Sequence, residues 1–141
     1  MDQLWLPGIS SISSMVYVMT KEKQRIGNLG ESAACEHLTK RGLEILVRNY
    51  RTPHGEIDII ARDGDTIRFC EVKTRTSDLF GNPEEAVTES KMQHLIDSAE
   101  HYLQSNNLDD INWQIDVIAV EIDDRNNVFR ISRYENVESD E

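Results

Sequence analysis

Glu56-Ile57-Asp58-Ile59-Ile60-Ala61, then Arg62-Asp63-Gly64-Asp65, then Thr66-Ile67-Arg68-Phe69-Cys70-Glu71-Val72-Lys73 decide the fold class of this 141-residue chain. Two period-two runs flank Asp-Gly, the strongest short-range signal for a β-hairpin. Alternation predicts Glu56 and Asp58 on one face of the first strand, opposite Ile57 and Ile59. In the second strand Glu71 and Lys73 share a face, with Cys70 and Val72 on the other. Facing residues of an antiparallel pair have numbers with a constant sum. With Asp63-Gly64 as the two turn residues the sum is 127, and Asp58 faces Phe69 with Glu71 diagonal to it. With a four-residue Asp63 to Thr66 loop the sum is 129, and Asp58 faces Glu71 directly. Either even-length loop puts both carboxylates on one face, within roughly 5–8 Å. An odd loop without a bulge would separate them.

Upstream of the hairpin, Ile26 to Arg41 has helical spacing, with Leu29, Ala33, Ala34, Cys35 and Leu38 apolar and Gly42 as a stop. Leu43 to Arg48 reads as a strand, and Asn49 to His54 as a loop containing Pro53. Downstream, Ser77, Gly81, Asn82 and Pro83 mark a loop. Thr88 to Gln104 then repeats Met92, Leu95, Ile96, Ala99, Tyr102 and Leu103 at helical spacing. Trp113 to Ile122 is apolar on both faces, as a buried central strand is. Asp123 to Asn127 turns, and Val128 to Ser132 pairs as a last strand. The order α-β-β-β-α-β-β predicts an α/β fold, a small mixed sheet packed by helices. Residues 1–20 lack a core pattern and read as a poorly ordered extension, in which Met19 is an alternative start that N-terminal mass spectrometry would settle. Residues 21–133 form one domain, and residues 134–141 an acidic tail.

Fifteen Lys and Arg stand against 26 Asp and Glu, a net charge of −11. A pI near 4.7 excludes an extended basic nucleic-acid-binding surface. The acid is uneven: residues 1–75 hold 11 basic and 10 acidic residues, and residues 76–141 hold 4 and 16. The N-terminal half can therefore approach a polyanion while the acidic half faces solvent. Cys35 and Cys70 form no CxxC or Cys/His cluster, which argues against structural zinc and a disulfide scaffold and fits a reducing, cytoplasmic setting. No apolar run reaches the ~20 residues of a membrane-spanning helix, so no membrane partner is expected.

Asp58 and Glu71 at hairpin distance repel, and a divalent cation compensates. Mg²⁺ favours one or two carboxylates, keeps water and completes its shell with substrate phosphate. Lys73 beside Glu71 adds a cation that can orient or deprotonate water and offset charge building on phosphate. This set suits phosphodiester hydrolysis. By spacing alone the favoured reading is polar residues on a wet hairpin face, joined by a cross-strand ion pair. Zinc is disfavoured, because His37, His54, His94 and His101 share no ligand spacing. Glu31 shares its helix face with Ala34, Cys35 and Leu38; it is either a ligand-orienting group or a helix-start acid favoured by the dipole.

These residues converge on a resemblance. Gly27-Asn28-Leu29-Gly30-Glu31-Ser32-Ala33-Ala34 is similar to the GxxGExxA helix start of the bacterial YraN family. Asn49-Tyr50-Arg51 with Gly55-Glu56-Ile57-Asp58-Ile59-Ile60 resembles its N-x-R…GEIDLI segment, and Phe69-Cys70-Glu71-Val72-Lys73-Thr74-Arg75 its FVEVKxR strand. Gly81 to Val87 with Lys91, and Ile115-Asp116-Val117-Ile118, extend the resemblance over Ile26 to Val120. It implies a restriction-endonuclease-like fold akin to archaeal Holliday-junction resolvases, with a mixed β-sheet flanked by helices. It implies a metal-dependent endonuclease acting on DNA, branched DNA included. Asp58, Glu71 and the backbone carbonyl of Val72 would ligate Mg²⁺ or Mn²⁺, with Lys73 the catalytic lysine and Glu31 the helical acid. A homodimer is the related expectation. The sequence departs from the family pattern at Gln114, where an Arg commonly precedes the Asp-Val pair.

Arg51, Arg75 and Lys91 are candidate phosphate contacts or solvated charge. Asp116, in an apolar strand, reads as the buried partner of a basic residue. His54 reads as a loop residue, and Trp113 and Tyr102 as core. A non-catalytic nucleic-acid-binding module and a protein-interaction domain are the competing functions. Cleavage of labelled junctions, flaps and single strands with Mg²⁺ separates them.

Overall fold

Alternation around Gly64 makes the predicted hairpin. In a computed structural model, which describes residues 12–76 and 88–137, β2 (Gly55–Asp63) and β3 (Thr66–Arg75) pair antiparallel. The register runs from Asp63↔Thr66 to Ile59↔Cys70, the sum of 129. The turn residues are Gly64-Asp65, with Gly64 at φ 59°, where glycine avoids the Cβ clash. Backbone pairing gives way beyond Ile59. There the Asp58 carboxylate accepts from the Val72 N–H at 2.8 Å, so a side chain replaces the ladder.

The alternation also breaks at this point. Period two places Ile57 and Ile59 together, yet they pack on opposite faces of the sheet. Ile57 joins Met92, Leu95 and Tyr102, whereas Ile59 joins Ala34 and Leu38. Both faces are covered by helices, so an apolar residue is stable on either side and the pattern could not register the switch.

The element order is α1 (Ile12–Lys40), β1 (Glu44–Thr52), β2, β3, α2 (Glu89–Ser105), β4 (Asn112–Ile122) and β5 (Val128–Tyr134), the predicted α-β-β-β-α-β-β. The five-stranded sheet runs β1-β2-β3-β4-β5. The β3–β4 pair is parallel and the others are antiparallel. A parallel neighbour needs a crossover, and α2 lies in it. One core lies under α2, with Ile60, Ile67, Phe69, Ile115 and Val117. The other lies under α1, with Ala61, Cys70, Ile118, Val120 and Ile122. Burial on both sides explains the continuous apolar run of β4. The mixed sheet flanked by helices agrees with the expected fold class and is compatible with a restriction-endonuclease-like fold.

Two predicted boundaries need correction. The stretch Asn49 to His54 is not all loop: β1 continues to Thr52, pairing Tyr50↔Ile57 and Arg51↔Glu56. Asn49 sits at φ 53°, a left-handed conformation that Asn tolerates, and this turn-former signature hid the strand. The α1 helix begins at Ile12, not Ile26. Its early residues Ile12, Val16, Val18 and Met19 are exposed, so no buried stripe marks them. At the other end Gly42 (φ 86°) terminates α1. The Leu43 N–H bonds Leu38 O and the Gly42 N–H bonds Thr39 O, a Schellman closure. Thr88 caps α2, its Oγ1 accepting from the Lys91 N–H at 3.2 Å. The loop and motif residues 77–87, including Gly81 to Val87, lie outside the described residues, as do residues 1–11 of the extension and 138–141 of the tail.

Asp116 is fully buried on β4 and pairs with Arg68 at 3.1 Å, the structural partnership expected of it. Trp113 and Tyr102 pack edge-on against Phe69, as core residues. Among the described residues, no helix is long and apolar enough to cross a membrane.

Candidate active site

The departure of β2 from β3 at Asp58 opens a cleft of about 770 Å³. Glu31 from α1, Asp58 from β2, and Glu71, Val72 and Lys73 from β3 all line it, with Lys91 from α2 and Arg51 from β1. The four side chains singled out as a catalytic set therefore meet in one place. Strand alternation puts Glu71 and Lys73 on one side of β3, while the Val72 backbone reaches Asp58. Helix α1 brings Glu31 down beside Asp58 because Gly30 lets it lie directly on the sheet: a Cβ there would sit 1.7 Å from Thr74 Oγ1.

The carboxylates crowd one another. Burial, and then the charge of Glu71, push the Asp58 carboxyl up to about 7, although the Val72 N–H favours its anion. Glu31 is 9% exposed; burial raises its pKa against the opposing charge of Arg48, and its carboxyl shares a hydrogen bond with Asp58. The Asn49 side chain, with its nitrogen turned to the carboxylates, donates to Glu31 Oε1 at 2.7 Å and to Glu56 Oε1 at 3.0 Å.

Two lysines share one oxygen of Glu71. Lys91 Nζ is 2.8 Å from Oε1 and Lys73 Nζ is 3.2 Å from it. Burial and the adjoining Lys91 lower the pKa of Lys73 despite the Glu71 charge. Burial is the largest influence on Lys91 and opposes its charge, but its contacts with Glu71 and Lys73 and the charge of Asp58 together raise its pKa. The ammonium nearer the carboxylate is thus the more firmly held, leaving Lys73 the readier of the two to give up a proton.

Of the candidate phosphate contacts, Arg51 and Lys91 line the cleft. Arg75 is directed elsewhere: it faces Glu121 on β4 in register and pairs with it at 3.5 Å. Sequence reasoning missed Asn49 and Glu56 as cleft residues, and the cleft wall formed by Lys23, Gln24, Gly27 and Asn28 of α1.

The donor chemistry fits a hard divalent cation. Asp58, Glu71 and the adjacent Val72 carbonyl are oxygen donors, and burial, followed by the neighbouring Glu71 charge, makes the Asp58 anion costly without a counter-charge. Among the described residues no three His, Cys, Asp or Glu side chains form a ready-made metal cage. Mg²⁺ commonly takes only one or two carboxylates and keeps the rest of its shell for water and phosphate.

A family model described as "Uncharacterised protein family UPF0102" matches residues 30–120. The chain belongs to this family. UPF0102 is the YraN family whose motifs the sequence resembles. A UPF0102 protein of Caldicellulosiruptor saccharolyticus is 45% identical over 114 residues, 81% of this chain and 97% of its own. One from Syntrophus aciditrophicus is 47% identical over 108 residues, 77% and 84% of the two chains. One from Moorella thermoacetica is 46% identical over 105 residues, 74% and 88%. The matched segment contains Glu31, Asp58, Glu71, Lys73 and Lys91, whereas the wall from Lys23 to Asn28 precedes it.

Proposed function

We propose that this UPF0102 protein is a magnesium-dependent endonuclease that hydrolyses phosphodiester bonds of DNA, with Mn²⁺ able to replace Mg²⁺. The observation that supports it is the convergence of three carboxylates and two lysines from four elements in one cleft. Asp58, Glu71 and the Val72 carbonyl would hold the ion. Bound there, Mg²⁺ supplies Lewis acidity, lowering the pKa of water and neutralising phosphate charge. Glu31, hydrogen-bonded to Asp58, fixes that carboxylate's orientation. Lys73 orients the attacking water and accepts its proton, a role its lowered pKa favours. Lys91 holds Glu71 and meets phosphate charge, and Arg51 binds the strand further out. In-line attack by water on phosphorus breaks the P–O3′ bond and leaves a 5′-phosphate and a 3′-hydroxyl.

Electrostatics is consistent with this reading. Among the described residues, the cleft lining carries four basic residues (Lys23, Arg51, Lys73, Lys91) and four acidic ones (Glu31, Glu56, Asp58, Glu71), on a chain of net charge −11. A divalent ion would add positive charge to this balanced set, and local charge governs attraction of a polyanion. Four-way junctions are the proposed preferred substrate, with a homodimer cutting the paired strands.

Labelled four-way junctions, flaps and single strands incubated with Mg²⁺ or Mn²⁺ test the proposal. Cleavage that EDTA stops is expected, with junctions cut fastest. Binding should weaken log-linearly with salt through counterion release. Binding without cleavage on every substrate would favour a non-catalytic module, and sedimentation of a monomer at high concentration would remove the dimer.

A further inference from the structure

Two glycines of α1 face the same end of the molecule for different reasons. Gly30 is required by the sheet, since its Cβ would collide with Thr74. Gly27, one turn earlier, has no such requirement: a Cβ there would meet nothing within 4 Å. Its φ is not among the positive ones either. Glycine is a poor helix former, so neither packing nor backbone conformation within this chain accounts for it.

Its location does. Gly27 lines the cleft that holds Asp58, Glu71 and Lys73. At helical spacing its neighbours on one ridge are Lys23 and Glu31, and Gln24 and Asn28 flank it on the same wall. The missing side chain leaves a notch between an exposed ammonium and the crowded carboxylates. Glycine at such a place permits close approach by another molecule's backbone.

We propose that the Gly27 notch admits the sugar–phosphate backbone of the nucleic-acid strand against α1, with Lys23 and Asn28 at its rim binding the phosphate next to the scissile one. The inference rests on the nuclease reading of the same cleft and extends it to a specificity determinant. Contacts of this kind read sugar and phosphate, not base edges, so the notch selects strand shape and not sequence.

The test uses the full chain carrying Gly27→Ala or Gly27→Leu, with a DNA junction or single strand as the probe. Both variants should melt higher than wild type, by a few degrees, because helix propensity rises and no clash is made. Affinity and kcat/KM should fall nonetheless, roughly threefold for Ala and roughly tenfold or more for Leu. A purely structural role would move stability and activity in the same direction. Lys23→Ala should reduce the salt slope of binding by about one unit at unchanged Tm. If Gly27→Leu binds and cuts like wild type, or Lys23→Ala keeps the full slope, the notch assignment is overturned while the nuclease reading survives. If the wild type neither binds nor cuts DNA with Mg²⁺, both are overturned. Should the Leu side chain impair folding, the Ala variant alone decides.

Discussion

Asp58→Asn is expected to abolish cleavage, by a factor on the order of 10³ or more, while making the metal-free protein more stable at pH 8 than the wild type. The two effects have one cause. Asp58 has a folded pKa of about 7 against roughly 3.9 in an unfolded chain. Between those values the folded state binds the extra proton, so stability falls as pH rises, by at most about 1.4 kcal/mol per pH unit. The contribution is fully present below the unfolded value and lost as pH passes through the folded one. Asn cannot ionise, yet its carbonyl can still accept from the Val72 N–H, so the variant escapes this loss. Metal-free melting at pH 5 and pH 8 should therefore show the variant's advantage growing with pH. Adding Mg²⁺ at pH 8 should raise the Tm of the wild type and leave that of Asp58→Asn nearly unchanged. Lys73→Ala should also lose cleavage, yet retain a metal-induced Tm shift, because Lys91 still holds Glu71 at 2.8 Å. Full cleavage by both variants, or a variant advantage that shrinks with pH, would sink the site assignment.

How far the sequence alone reached follows from what periodicity can see. The hairpin was legible because its turn carries Asp63-Gly64-Asp65 between alternating runs, and α2 because six apolar residues recur on one face. Asp116 was legible as a buried acid because Ile115, Val117 and Ile118 beside it in β4 are apolar. Periodicity does not say which helix covers which face, so the move of Ile57 to the α2 side was invisible. Nor does it mark a helix with no core beneath it, which hid the first 14 residues of α1, Ile12 to Arg25. The pairing of Arg75 with Glu121 spans 46 positions and depends on the parallel β3–β4 register. No local pattern records such a partner, and the charge read as a candidate phosphate contact. Within the cleft, the acid and lysine pattern was visible as residue types, whereas Asn49 and Gly27 emerge only from the position of α1 over the sheet.

Asp116→Ala is expected to cost about 3 kcal/mol or more, measured by urea unfolding, because it breaks a buried ion pair from one side. Asp116 is 0% exposed. Its Oδ2 pairs with Arg68 at 3.1 Å, and its Oδ1 accepts from Gln114 Nε2 at 3.0 Å and the Asn136 N–H at 2.9 Å. Truncation leaves those donors in a dry site and weakens the hold of β4 on the chain after β5. Arg68 would keep Asp63 at 2.9 Å and Glu135 at 3.0 Å, both far more exposed than Asp116. Those rim pairs contribute little: Asp63→Ala should cost under about 1 kcal/mol. Asp116→Asn separates structure from chemistry. It keeps one acceptor and loses the charge, so it should unfold at lower urea than wild type yet cut DNA at the wild-type rate when folded. A destabilisation of Asp116→Ala no larger than that of Asp63→Ala would refute the buried partnership. Loss of cleavage in fully folded Asp116→Asn would instead make this acid part of the reacting cleft, a role its separation from the cleft lining argues against.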